Sequence, residues 1–112
     1  MAIERWSERV LVVQLGDDPQ FGDTIDALLP MLQAEKLDVV LNLSAVHYVN
    51  SSNLGRLLQV RRLQSRQECR LVLCGIATAV WGVFLVTGLD KLFDYSDNVT
   101  TSLATLQIED QR

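Results

Sequence analysis

This 112-residue chain has a single histidine and only two cysteines. Structural zinc sites draw mostly on those two residue types, so a metal centre is not expected. Cys69 and Cys74 also cannot pair. On the strand expected there, their odd spacing puts the side chains on opposite faces, ~16 Å apart along the strand. They read as small buried or half-buried residues.

Other absences narrow the function further. No apolar run approaches the ~20 residues that span a bilayer, so no membrane role is expected. The start, Met1-Ala2-Ile3-Glu4-Arg5-Trp6, lacks a basic region followed by an apolar run. A cytoplasmic location is therefore the expectation. Glycine is sparse, and Gly16 and Gly22 form no phosphate-cradling loop. The net charge of −4 argues against nucleic acid, whose binders carry a basic stripe. The acids are scattered over termini and caps, with no pair placed for acid/base work. A lone His47 close in sequence to Ser44, Ser51 and Ser52 leaves a small hydrolase using His47 and Ser51 as the last of the readings. A non-catalytic chain without a cofactor is the expectation.

What is present is core material. The chain is 48% hydrophobic, enough for one compact domain over residues 1–112. Residues 9–15 are a β-branched run stopped by Gly16-Asp17-Asp18-Pro19, hence a strand and a turn. A shorter strand at Ile3–Trp6 precedes it across Ser7-Glu8. Asp23 with Asp26 suggests a capped start to a helix over 23–35, kinked at Pro30. Asp38–Leu43 reads as a strand covered on both faces, with 44–49 as the connection out of it. Asn50-Ser51-Ser52 supplies N-cap residues for a helix over 52–66. Arg70–Cys74 is the next strand, and Thr78 to Val86 a helix stopped by Gly88. Leu92–Tyr95 forms a last strand, Ser96-Asp97-Asn98 opens a last helix, and the tail from Glu109 to Arg112 is expected to fray. Such alternation requires crossovers. The fold class is thus α/β, a mixed, mostly parallel sheet of four to five strands with four helices.

Leu41 to Leu58 carries a motif: Leu-Asn-Leu-Ser-Ala-Val-His-Tyr-Val-Asn-Ser-Ser-Asn-Leu-Gly-Arg-Leu-Leu. It resembles the STAS domain of bacterial anti-anti-sigma factors (anti-sigma factor antagonists), whose pattern is D/N-L-S-x-V-x-F/Y-I/M/V-D-S-S/T-G-L-G. A second landmark follows in the right order: Arg70-Leu-Val-Leu-Cys-Gly, Val80, Phe84 and Thr87-Gly-Leu-Asp-Lys-Leu-Phe93. Upstream, Val10 to Gly16 matches the family's second strand.

The resemblance implies a STAS-like fold and a partner-switching adaptor in transcription regulation. In that family the serine after the motif Asp is phosphorylated by a serine kinase that doubles as an anti-sigma factor. A phosphatase reverses the mark. Here that position is Ser51, with Ser52 beside it as a second acceptor, and Asn50, Ser51, Ser52, Asn53 and Arg56 form the implied partner-binding segment. A helix N-terminus suits an added anion. Two positions depart from the pattern. Asn50 replaces the Asp, keeping a cap but removing a carboxylate. Asn53 replaces the Gly and puts a side chain in the way of close approach. Binding is thus more firmly implied than phosphorylation. The alternative is a scaffold subunit of a larger assembly, not switched by phosphate.

Two further surfaces follow from helical spacing. Val80, Val83 and Phe84 make one apolar face of the third helix, which turns Trp81 and Leu85 away from it, either as an exposed contact patch for a homodimer or another partner or as a pair covered by neighbouring loops. Arg62 and Arg66 lie on the outward face of the second helix, as a solvated surface or an acidic-partner site.

Overall fold

The computed structural model describes residues 2–110. Its core is a five-stranded sheet in the order β1-β2-β3-β4-β5. The strands are β1 (Ile3–Arg5), β2 (Val10–Gly16), β3 (Asp38–Ala45), β4 (Leu71–Cys74) and β5 (Asp94–Ser96). β1 pairs antiparallel with β2, and every other neighbouring pair is parallel. The helices are α1 (Gln20–Ala34), α2 (Ser51–Arg66), α3 (Thr78–Thr87) and α4 (Val99–Asp110), with a short 3-10 turn at Leu89–Lys91. The expected mixed sheet and four helices are present.

Strand alternation assigns the two faces. Leu11, Val13 and Leu15 of β2, Val39, Leu41 and Leu43 of β3, and Leu71 and Leu73 of β4 enter the main core. Phe21, Ile25, Leu28 and Leu32 of α1, Leu57 and Val60 of α2, and Val80 and Phe84 of α3 meet them there. Val10, Val12, Val40, Val72 and Cys74 face the other way and pack with Leu106, Val99 and Leu103 of α4. Since both faces are covered, the parallel strands read as continuous apolar runs rather than alternating ones.

Several boundaries differ from the sequence expectation. α1 begins at Gln20, not Asp23, and among the described residues no side-chain cap bond closes its start. Its first residue instead reaches back: the Gln20 carboxamide oxygen accepts the Gly16 backbone N–H at 2.5 Å. Asp23 lies in the first turn, where a carboxylate favours the helix dipole. The helix runs through Pro30 to Ala34. β3 extends to Ala45 because a register shift between Gln14 and Gly16 lets Gly16 pair with Ala45. The last strand is Asp94–Ser96 rather than Leu92–Tyr95. Asn98, the expected opener of α4, accepts the Thr101 N–H at 2.8 Å. Of the tail expected to fray, Glu109 and Asp110 close α4, and Gln111 and Arg112 lie outside the described residues.

Trp81 corrects the reading of its pair with Leu85 as an exposed patch. Its ring meets Tyr95 edge-on, with centroids 4.9 Å apart, and stacks on Phe84 at 6.3 Å. It is half-buried. The edge strand β5 brings Tyr95 across to cover a face that the periodicity of α3 alone leaves open. Leu85 is exposed, as that reading has it, and Val86 beside it is 89% exposed.

Candidate functional site

The site lies at the C-terminal end of the parallel strands, where the loops after β2 and β3 meet. Adjacent parallel strands end side by side, so residues far apart in sequence converge there. Val46 is buried and its N–H bonds to the Leu43 carbonyl at 3.0 Å. This turn anchors the near end of the loop that carries His47, Tyr48 and Val49 into α2.

Asn50 is the N-cap of α2. Its backbone is extended (φ −110°, ψ 175°), its Oδ1 accepts the Asn53 N–H at 2.8 Å, and its carbonyl accepts the Leu54 N–H at 3.0 Å. That geometry makes Ser51 the first helical residue, one earlier than expected. Ser51 and Ser52 are exposed. Their N–H groups belong to the first turn, which has no intrahelical acceptors.

The loop is held from the opposite side by two acids that the sequence reading treated as turn chemistry. Asp17 accepts the His47 backbone N–H at 2.8 Å on one oxygen and faces His47 Nδ1 at 2.7 Å with the other. A carboxylate only accepts, so Nδ1 carries the proton in this contact. The His47 backbone bond, then its ring bond, hold the Asp17 carboxyl below its ordinary range. Asp18 Oδ2 accepts from Asn50 Nδ2 at 2.9 Å and from Asn53 Nδ2 at 3.2 Å. One carboxylate therefore bridges both positions at which the chain departs from the motif.

This arrangement corrects the expectation for Asn53. Its side chain is 1% exposed and points inward to Asp18, so it does not obstruct an approaching partner. Its Oδ1 is buried and, among the described residues, has no hydrogen-bond partner. Arg56 is half-buried, with Nε 3.3 Å from Asp26 and its guanidinium against Gly22 of α1. Trp81 and Leu85 belong to α3. The structure thus gathers Asn50, Ser51, Ser52 and Asn53, adds Asp17 and Asp18, and draws Arg56 into the α1–α2 contact. Tyr48, 56% exposed, stands next to them.

The elements of a nucleophilic triad are only half assembled. Asp17 orients His47, but among the described residues no hydrogen bond joins the ring to Ser44, Ser51 or Ser52. No group of three or more His, Cys, Asp or Glu side chains placed to hold a metal occurs among the described residues. No described helix is long and apolar enough to cross a membrane.

Asp17 and Asp18 carried a usable signal. Two acids at the end of β2, and a His-Tyr-Val-Asn segment after the neighbouring strand β3, are complementary partners once those strands are known to lie parallel.

A family model described as "Mlab, STAS domain" matches residues 17–94. Comparison with curated protein sequences finds no match. Among solved structures, RsbS of Moorella thermoacetica superposes with a TM-score of 0.85 at 22% identity, covering 98% of this chain and 97% of the other. A chain from the molecular architecture of the stressosome, a signal integration and transduction hub, has a TM-score of 0.80 at 23% identity, covering 98% and 99%. The anti-sigma factor antagonist SpoIIAA in its unphosphorylated form has a TM-score of 0.80 at 16% identity, covering 94% of each chain.

Proposed function

This chain belongs to the STAS domain family, and on that premise we propose that it is a non-catalytic, cytoplasmic adaptor of the anti-sigma factor antagonist type. It docks onto a serine-kinase anti-sigma factor through the Ser51 end of α2. The observation that carries this reading is the exposure of Ser51 and Ser52 at a helix start whose approach loop is fixed at both ends. An ordered, exposed loop with Tyr48 at its crest loses little freedom on binding, which is the condition for a docking surface. Aromatic side chains of that kind are frequent anchors in protein interfaces.

The switch itself is a transfer at Ser51. The partner moves the γ-phosphoryl group of ATP to Ser51 Oγ, the hydroxyl proton leaves, and ADP departs. The product adds nearly two negative charges and a bulky group to the docking face. A phosphatase resets it. Likeness to SpoIIAA, named with reference to its phosphorylation state, supports this course.

A second reading has its own support. Likeness to RsbS and to a stressosome chain favours a scaffold subunit that assembles with other STAS domains. Intact-mass spectrometry separates the two. The chain is incubated with ATP and its host's cytosolic extract, beside Ser51→Ala. One added phosphate that disappears in the variant supports the switch. No phosphate on either protein, where a motif-intact relative is modified, favours the scaffold.

A further inference from the structure

The family motif places an aspartate at position 50, and this chain has Asn50. Asp18 explains the exchange. Its Oδ2 lies 2.9 Å from Asn50 Nδ2, so an aspartate at position 50 would set two carboxylates in contact, whereas an amide donates to the one already there. Asn53, also outside the motif, donates to the same oxygen at 3.2 Å. A carboxylate at this helix start is retained, but it comes from the β2–α1 turn.

The charges around Ser51 are mostly of one sign. Asp17 and Asp18 are the two acids that hold its loop. The first turn of α2 contains no acid. The nearest arginine on α2, Arg56, is engaged with Asp26 across the groove. His47, the other group able to carry positive charge, is engaged with Asp17. A negative group on Ser51 therefore has the first-turn N–H groups and the Asn50 amide as its donors, and Asp18 as its competitor for that amide.

Taking the Ser51 end as the docking face, we propose that Asp18 is the chain's own sensor of negative charge at Ser51. Charge there draws Asn50 Nδ2 away from Asp18 and repels the Asp18 carboxylate, breaking the bridge that ties Asn50 and Asn53 together. Ser51 directly follows Asn50, whose amide Asp18 holds, so a charge on Ser51 is of the same sign as a carboxylate tied to its neighbouring residue and repels it. Release of the bridge frees one of the two ties on the 47–50 segment, which presents Tyr48. Charge at Ser51 thus alters the shape of the docking face as well as its charge.

The test uses the isolated full chain and needs no partner. Side-chain amide resonances of Asn50 and Asn53 are followed by NMR in Ser51→Glu, with Ser51→Gln as the neutral control of similar size. Asp18→Asn keeps an acceptor for Asn50 while removing the charge, and is combined with each. Ser51→Glu is expected to shift both amides relative to Ser51→Gln, and that shift should vanish in the Asp18→Asn background. The helix dipole favours the Glu charge in either background, so the melting test is the coupling: Asp18→Asn should raise the midpoint of Ser51→Glu by about 4 °C more than that of Ser51→Gln. A Ser51→Glu chain that fails to fold but folds again with Asp18→Asn gives the same answer. Amides that respond alike to Glu and Gln, or a Glu effect unchanged by Asp18→Asn, overturn the proposal. A chain that shows the coupling yet binds no anti-sigma factor sinks the docking reading and leaves this one standing.

Discussion

Asp17 grips His47 twice, at the backbone N–H (2.8 Å) and at ring Nδ1 (2.7 Å), across a sequence separation of 30 residues. With Asp18 on Asn50 and Asn53, it makes the β2–α1 turn the support on which the Ser51 loop rests. Each consequence is open to measurement.

The Asp17 tie predicts a pH dependence. The folded carboxyl titrates below its unfolded value of about 3.9. The stabilisation is therefore fully present above that value and is lost as pH falls through the lower folded one. Urea midpoints measured between about pH 5 and pH 2 should fall more steeply for the parent chain than for Asp17→Asn. Parallel curves would mean that the contact does not form in solution.

Removing Asp18 altogether, rather than neutralising it, leaves the Asn50 and Asn53 amides without their acceptor. Asn53 is buried, so water cannot replace it freely. Asp18→Ala is expected to cost about 1–3 kcal/mol in equilibrium urea unfolding. A change within ~0.5 kcal/mol, the usual range for a surface site, would show that the bridge is of no consequence to stability.

Gly75 predicts a backbone effect. It follows β4 with φ +69°, and a Cβ there would lie 2.8 Å from Asn42 Oδ1. Gly75→Ala should destabilise the fold by about 1–3 kcal/mol through strain and contact together. Asn42→Ala removes that contact, but Ser44 Cβ at 3.1 Å and Ser44 N at 3.3 Å remain, as does the left-handed φ, so the double variant should recover only part of the loss.

On α3 the two residues paired by sequence spacing should separate. Trp81 packs on Tyr95 and Phe84, so Trp81→Ala is expected to cost at least ~2 kcal/mol, below the ~3–5 of a fully buried Trp. Leu85 is 52% exposed, and Leu85→Ser should change stability by less than ~0.5 kcal/mol. Thermal melts of the two variants decide it.

Much of this architecture was legible in the residues. The apolar runs at Val10–Leu15, Asp38–Leu43 and Leu71–Cys74, separated by helical spacings, require parallel strands and crossovers. A capped start of α2 within Asn50-Ser51-Ser52 and Gly88 as the stop of α3 followed from their chemistry alone, although the cap is Asn50 and the helix begins one residue earlier than expected. The start of α1 was not legible, because Gln20 caps Gly16 rather than its own helix. Exposure and cover of Trp81 could not be told apart from the spacing of α3, because its cover, Tyr95, comes from strand β5. The Asp17–His47 and Asp18–Asn50 ties depend on β2 and β3 ending side by side, a relation that no local window contains. Where a side chain meets its own segment the sequence shows it; where strand order makes the meeting, it does not.

The central claim is that the Ser51 end is the docking face, and the most direct test is a titration calorimetry series. The chain is titrated with a serine-kinase anti-sigma factor from its own host. The parent is compared with Ser51→Glu and Tyr48→Ala at the proposed face, and with Leu85→Ser and Arg62→Glu elsewhere. The account predicts a complex that weakens at least about tenfold (roughly 1.4 kcal/mol) in the first two and is unchanged in the others. Equal affinity in Ser51→Glu, Tyr48→Ala and the parent, with the loss confined to Leu85→Ser or Arg62→Glu, would contradict it and move the docking face to another part of the molecule.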